Sequence, residues 1–127
     1  MNNVTIPLNA RLIDETDKYA LYCQEINNES SVLGKEASFI IINKSDKILF
    51  FDFTRLDYDV GYDLVDNYSF ISEPAEVLPR SALFYSFNYS SLWEGDISAY
   101  IIQLQVSYLD NNGSLIVLAD KKYRIDN

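Results

Sequence analysis

The sequence predicts an all-β fold: an antiparallel β-sandwich of seven to eight strands with at most one short helical turn. Three observations carry this expectation. Apolar residues recur with period two in one segment after another, the pattern of strands with a buried and a wet face, and no long segment shows the 3.6-residue period of a helix. Ten Tyr and seven Phe in a chain that is 48% hydrophobic suit the pleated surface of strands. Polar turns separate the apolar runs at intervals of roughly ten to fifteen residues, as in sandwiches. A small closed barrel is the second architecture that fits the same spacing.

The clearest element is a hairpin within Asp96 to Ile125. Ile102, Leu104, Val106 and Tyr108 alternate with Gln103, Gln105 and Ser107, Asn112-Gly113 marks the turn, and a strand from Leu115 to about Ala119 returns. Before it, the chain reads as follows. Val4 to Ile13 alternates as a strand in which Pro7 demands an edge or a bulge. Asp14 to Asp17 is an acidic turn, Lys18 to Ile26 a strand, and Asn27 to Lys35 a loop. Ala37 to Ile42 is apolar on both faces, as a central strand covered on both sides requires. Asn43 to Lys47 turns the chain into the strand Ile48 to Phe53. A short strand or extended loop follows near Val60 to Val65, and Ser72 to Arg80, with two prolines, is a connection. Ala82 to Tyr89 alternates again. Ser90 to Asp96 has capping-box spacing at Ser91 and Glu94 and a stop at Gly95, enough for one helical turn.

Length places all 127 residues in one domain, large enough to bury roughly two-thirds of its unfolded surface without a metal or a disulfide. Cys23 has no partner for an internal bridge and lies inside an apolar run, so a small buried side chain is expected there. The chain contains no His, which removes Ser-His and Cys-His nucleophile pairs and imidazole metal sites. No catalytic residue, cofactor or metal ligand is therefore assigned. Asp57 to Asp63 superficially suggests a calcium loop, but Gly61 falls one position early and Tyr68 stands where the bidentate Glu belongs. Asn-x-Ser/Thr triplets occur at Asn3, Asn28, Asn43, Asn67, Asn88 and Asn112 and read as coincidence in an Asn- and Ser-rich chain.

A net charge of −9 disfavours nucleic acid and anionic membranes, whose binding rests on Lys and Arg, and favours a basic protein partner. The charge is concentrated. Between Asp52 and Glu76 seven acids face one base, Arg55. Within this stretch Asp57, Tyr58, Asp59, Tyr62, Asp63, Asp66 and Tyr68 interleave carboxylates with aromatic rings, the residue type enriched at interface hot spots, and form the candidate partner-binding set. The N-terminus has neither a basic n-region nor an apolar stretch of signal-peptide length, so a cytoplasmic location is expected, or the cell surface if a leader has been removed.

From Ala37 onward the order of features resembles the immunoglobulin-like β-sandwich domains of Gram-positive lipoproteins and surface proteins. The resemblance is carried by Phe39 to Ile42 followed by Asn43-Lys44-Ser45-Asp46-Lys47, by Glu76-Val77-Leu78-Pro79 leading into Ala82 to Tyr89, and by Leu92, Gly95 and Ile97 ahead of the strand ending Tyr108-Leu109-Asp110. Such domains commonly carry a Gly after the proline, where Arg80 and Ser81 stand here, and an Asn-Gly turn where Asp59 to Asp63 stand. The resemblance implies an immunoglobulin-like sandwich with a non-catalytic role and transfers no site residues. The leading functional expectation is a non-enzymatic protein-binding domain, an acidic inhibitor, immunity or anti-defence factor of bacterial or phage type that targets a basic, nucleic-acid-binding site. The alternatives are a structural or adhesive module of a bacterial surface protein, and a carbohydrate- or calcium-binding module that uses Trp93 and tyrosines.

Overall fold

The fold is set by which apolar faces the strands must bury. In the computed structural model, residues 6–24, 35–59, 64–68, 74–89 and 99–126 are described, with side chains for all of these except 35–37, 54–59, 64–68, 87–89 and 100. They form nine strands and two antiparallel sheets: β1 (Arg11–Glu15), β2 (Tyr19–Cys23), β3 (Lys35–Asn43), β4 (Leu49–Asp59), β5 (Leu64–Tyr68), β6 (Ala75–Val77), β7 (Ala82–Tyr89), β8 (Ala99–Leu109) and β9 (Leu115–Asp126). Sheet A runs β1-β2-β3-β7, and sheet B runs β5-β4-β8-β9 with β6 also on β4. Successive strands β3 and β4 pair with β7 and β8 in opposite sheets, a Greek-key crossover. The expected antiparallel sandwich is therefore present, and neither sheet closes on itself into a barrel.

The core lies between the sheets and follows the alternation. Phe39 and Ile41 of sheet A face Phe51, Phe53, Ile102, Leu104 and Val106 of sheet B, and all are essentially without solvent exposure. Phe53 lies between two rings of the opposite sheet, 4.9 Å from Phe39 and stacked at 5.3 Å on Tyr85. Tyr19 meets Phe51 edge to face at 5.5 Å. These contacts fix the register of one sheet over the other. Ser38 and Ile40, on the outer face of β3, are buried as well, as the two-sided apolar pattern of this strand implies. Cys23 is buried in the core. Phe87, in the alternating segment Ala82 to Tyr89, lies on β7 outside the residues whose side chains are described.

Several boundaries differ from expectation. Among the described residues the first strand starts at Arg11: Ala10 N–H donates to the Pro7 carbonyl at 3.0 Å, so Pro7–Ala10, within the strand expected from Val4 to Ile13, is a turn and Leu8 is wholly exposed, while Val4 lies outside the described residues. Asp14 and Glu15 belong to β1, and the turn falls on Thr16–Tyr19, where the Thr16 Oγ1 accepts from the amides of Lys18 and Tyr19. The supposed connection before Arg80 contains β6, because Ala75 and Val77 can be buried beside Phe51 and Leu49 of β4. Of the short strand or extended loop expected near Val60 to Val65, Leu64 and Val65 open β5, and residues 60–63 lie outside the described residues. The return strand β9 continues to Asp126. Ser90 to Asp96, with its expected helical turn, lies outside the described residues.

The β8–β9 turn is a three-residue loop. Gly113 takes φ +79°, its amide donates to the Asp110 carbonyl at 3.0 Å, and the Asp110 amide donates to Ser114 O at 2.9 Å. The Asp110 carboxylate accepts from Asn112 and Ser114 N–H. Gly113 alone supplies the positive φ; Asn111 and Asn112 do not. The other left-handed residue among those described is Arg80, φ +52°, directly after Pro79.

Candidate functional site

The acidic stretch follows one edge of sheet B. Asp57, Tyr58 and Asp59 occupy the last residues of β4, in register with Ile101, Tyr100 and Ala99 of β8. Asp66 and Tyr68 lie on β5, which pairs with the same part of β4 on its other side, Tyr68 opposite Leu56 and Val65 opposite Tyr58. The structure thus brings five of the seven candidate residues onto two adjacent strands. Tyr62 and Asp63 lie between them, outside the described residues, as does most of the calcium-like segment's second half.

The two ends of the stretch, Asp52 and Glu76, sit on the outer face of sheet B, beside a cleft that sequence reasoning missed. Because Phe51 points into the core, its neighbours Phe50 and Asp52 point outward. Strand register then makes two rows: Glu76, Phe50, Ser107 and Val117 in one, and Asp52, Gln105 and Asp120 in the next. Phe50, Asp52, Pro74, Gln105, Ser107, Leu109 and Leu115 line a cleft of about 250 Å³. Its rim is apolar: Leu109 and Leu115 are each about half exposed, at 52% and 53%, and Val117, 48% exposed, lies beside Ser107 in the strand register.

Asp52 is the unusual member. Burial pushes its carboxyl up from the ordinary value, and no hydrogen bond or ion pair reaches it among the described residues. A carboxylate partly withdrawn from water without a donor is held at a cost that a cationic group brought by another molecule would remove. Asp120 is held by Gln103, whose Nε2 donates to Oδ1 at 3.1 Å. Asp52 lines the depression itself, and register places Glu76 beside Phe50 and Asp120 beside Gln105 on the same face. The signal available in the sequence was only the alternation of β8, whose wet-face residues Gln105 and Ser107 line the cleft.

A second polar cluster closes the opposite margin of the sandwich, where β1 approaches β9. Asp14 Oδ2 accepts from the hydroxyls of Tyr123 at 2.7 Å and Tyr19 at 3.0 Å and from Lys121 Nζ at 3.3 Å. Burial works to raise the Asp14 carboxyl, but these three donors outweigh it and hold it below the ordinary carboxylate value. Burial and the bond to Asp14 push Tyr19 up to about 12, and the same two causes raise Tyr123. Both phenols stay protonated donors, so the cluster is a clasp between sheet edges rather than an acid–base pair.

No family model matches the chain, and no curated protein matches it. Among solved structures, the chain is similar to Northeast Structural Genomics Consortium target SoR45, with 14% identity over 94% of this chain and 87% of that chain and a TM-score of 0.39. At that distance the likeness bears on neither fold nor function.

Proposed function

We propose that this protein is a non-enzymatic binding domain that seats a basic segment of a partner protein on the outer face of sheet B. The observation that carries this reading is Asp52, a partly buried carboxylate with no donor among the described residues, set in a cleft whose rim exposes Leu109 and Leu115. A Lys or Arg of the partner supplies the missing donor, and the stem of that side chain or a neighbouring apolar residue fills the depression. The acids of β4 and β5, with net −6 between Asp52 and Glu76, add a longer-range field that speeds encounter with a positive patch. Occupying a basic, nucleic-acid-binding site in this way would make the chain an inhibitor of that site.

Affinity capture with the intact chain as bait, repeated at rising salt, tests the proposal. A basic protein should be retained at low ionic strength and released as the Debye length shrinks from about 10 Å at 0.1 M salt to about 3 Å at 1 M. Capture of acidic or neutral proteins alone would refute the reading.

A further inference from the structure

The margin between β1 and β9 carries a second groove of opposite charge. β1 ends sheet A and β9 ends sheet B, so among the described residues neither has a strand on its outer edge. Between them lies a groove of about 410 Å³, lined by Arg11 and Leu12 of β1 and by Lys122, Arg124 and Asp126 of β9, with Cys23 at its floor. Three of the chain's ten basic residues line it against one acid, which gives a local charge of +2 in a molecule of net charge −9.

Two of these cations have partners within the groove. Arg11 donates to the Asp126 backbone carbonyl. Arg124 Nε meets the Asp126 carboxylate at 3.1 Å, but the two side chains are 50% and 68% exposed, and an ion pair that open to water is readily traded for another. The Asp14 clasp ties β1 to β9 beside the groove and so keeps its two walls apart at a fixed spacing. Leu12, 52% exposed, adds an apolar contact on the β1 side. A free strand edge offers a ladder of backbone donors and acceptors, and an extended segment that adds to it is selected by the side chains alongside.

From this geometry we propose that the groove takes an extended acidic segment of another protein, which adds as a strand to the free edge of β9 and sets carboxylates against Lys122, Arg124 and Arg11. This surface is separate from the sheet B cleft and does not depend on the function proposed for that cleft. The charge decides the occupant: a basic peptide is repelled by Arg11, Lys122 and Arg124, a second copy of the chain meets the repulsion of −9 against −9, and an acidic segment of another protein is drawn to the three cations.

The test uses the full chain and a blocked octapeptide of alternating Glu and Val, titrated while backbone amide shifts and amide hydrogen exchange are followed by NMR. The shifts should fall on Arg11–Ile13 and Lys122–Asp126, outward-facing amides of β9 should exchange more slowly, and the matching Lys/Val peptide should not bind. Replacing Lys122 and Arg124 together by Gln should weaken binding about tenfold, the loss that two exposed ion pairs carry together. Both positions are exposed, and an unchanged circular dichroism spectrum establishes that the variant folds. Absent binding, equal affinity for the Lys/Val peptide, an unaffected variant, or shifts that inorganic phosphate alone reproduces in full would each overturn the proposal.

Discussion

The side-chain amide of Asn43, at the end of β3 in sheet A, donates to the backbone carbonyl of Val77, on β6 of sheet B, at 3.0 Å. The same amide reaches Lys47 O at 2.7 Å and Leu78 O at 3.2 Å, while its Oδ1 accepts from the Ser45 amide and hydroxyl. One fully buried side chain therefore ties together the β3–β4 turn, the connection into β7 and the two sheets. Asn43→Ala leaves these groups without partners and should lower stability by about 3 kcal/mol in chemical denaturation. Asn43→Asp should cost at least as much, since it sets a charge against three carbonyls. The burial also keeps this Asn-x-Ser triplet from acting as a glycan acceptor in the folded chain.

Arg80 holds φ at +52°, where a side chain is strained. Arg80→Gly should raise stability by up to about 1 kcal/mol, the relief of the left-handed conformation less the extra entropy of the unfolded chain. Arg80→Val should lower it by a similar amount. Thermal midpoints of the two variants should therefore move in opposite directions.

Leu104 is 1% exposed on the inner face of β8. Leu104→Ala should cost about 2–5 kcal/mol, depending on how far the sheets close over the cavity. A loss below about 0.5 kcal/mol would be incompatible with a residue that fills the space between two sheets.

What the sequence revealed was the part of the fold governed by short-range pattern. Leu104, Ile102 and Val106 alternate so regularly that the inner face of β8 is legible without a structure, and Gly113 marks its turn. β6 escaped because three residues between two prolines carry no period, and they become a strand only because β4 offers an edge. The Asp52 cleft escaped for a related reason: Phe50, Gln105 and Leu115 lie on three strands and become neighbours only through register. Asp14 and Tyr123 are 109 residues apart, and nothing local in either segment announces their bond.

The Asp14 clasp predicts a definite pH response. Asp14 titrates below its ordinary value in the folded chain, so its stabilisation is complete above the unfolded value near 3.8 and is lost as pH falls through the lower folded value. Tyr19 is raised from 10.0 to about 12, so its contribution is complete below pH 10 and is lost as pH rises through 12. Asp14→Asn should flatten the acid limb of a stability–pH curve measured in urea and make the alkaline limb shallower, because Tyr19 without the bond to Asp14 is raised less above its unfolded value. Limbs that coincide with those of the unaltered chain would mean that the clasp carries no stability.

Asp52 behaves in the opposite sense, because burial raises its carboxyl and no donor compensates. Removing the charge should leave the stability of the free chain at neutral pH unchanged or higher. The same change should weaken binding, since it takes away the group that meets the partner's cation. A residue kept for folding would lose stability on substitution, whereas one kept for recognition loses only affinity.

The most direct measurement is the affinity of the captured basic partner for the Asp52→Asn/Leu115→Ser variant, set against Phe84→Ser on the outer face of sheet A as a control. Leu115 and Phe84 are comparably exposed, at 53% and 58%, so loss of apolar surface as such is matched. The account predicts that the sheet B variant binds at least about tenfold more weakly, with undiminished thermal stability, and that the sheet A variant binds as the unaltered chain does. Unchanged affinity in the sheet B variant, or a loss confined to Phe84→Ser, would contradict it.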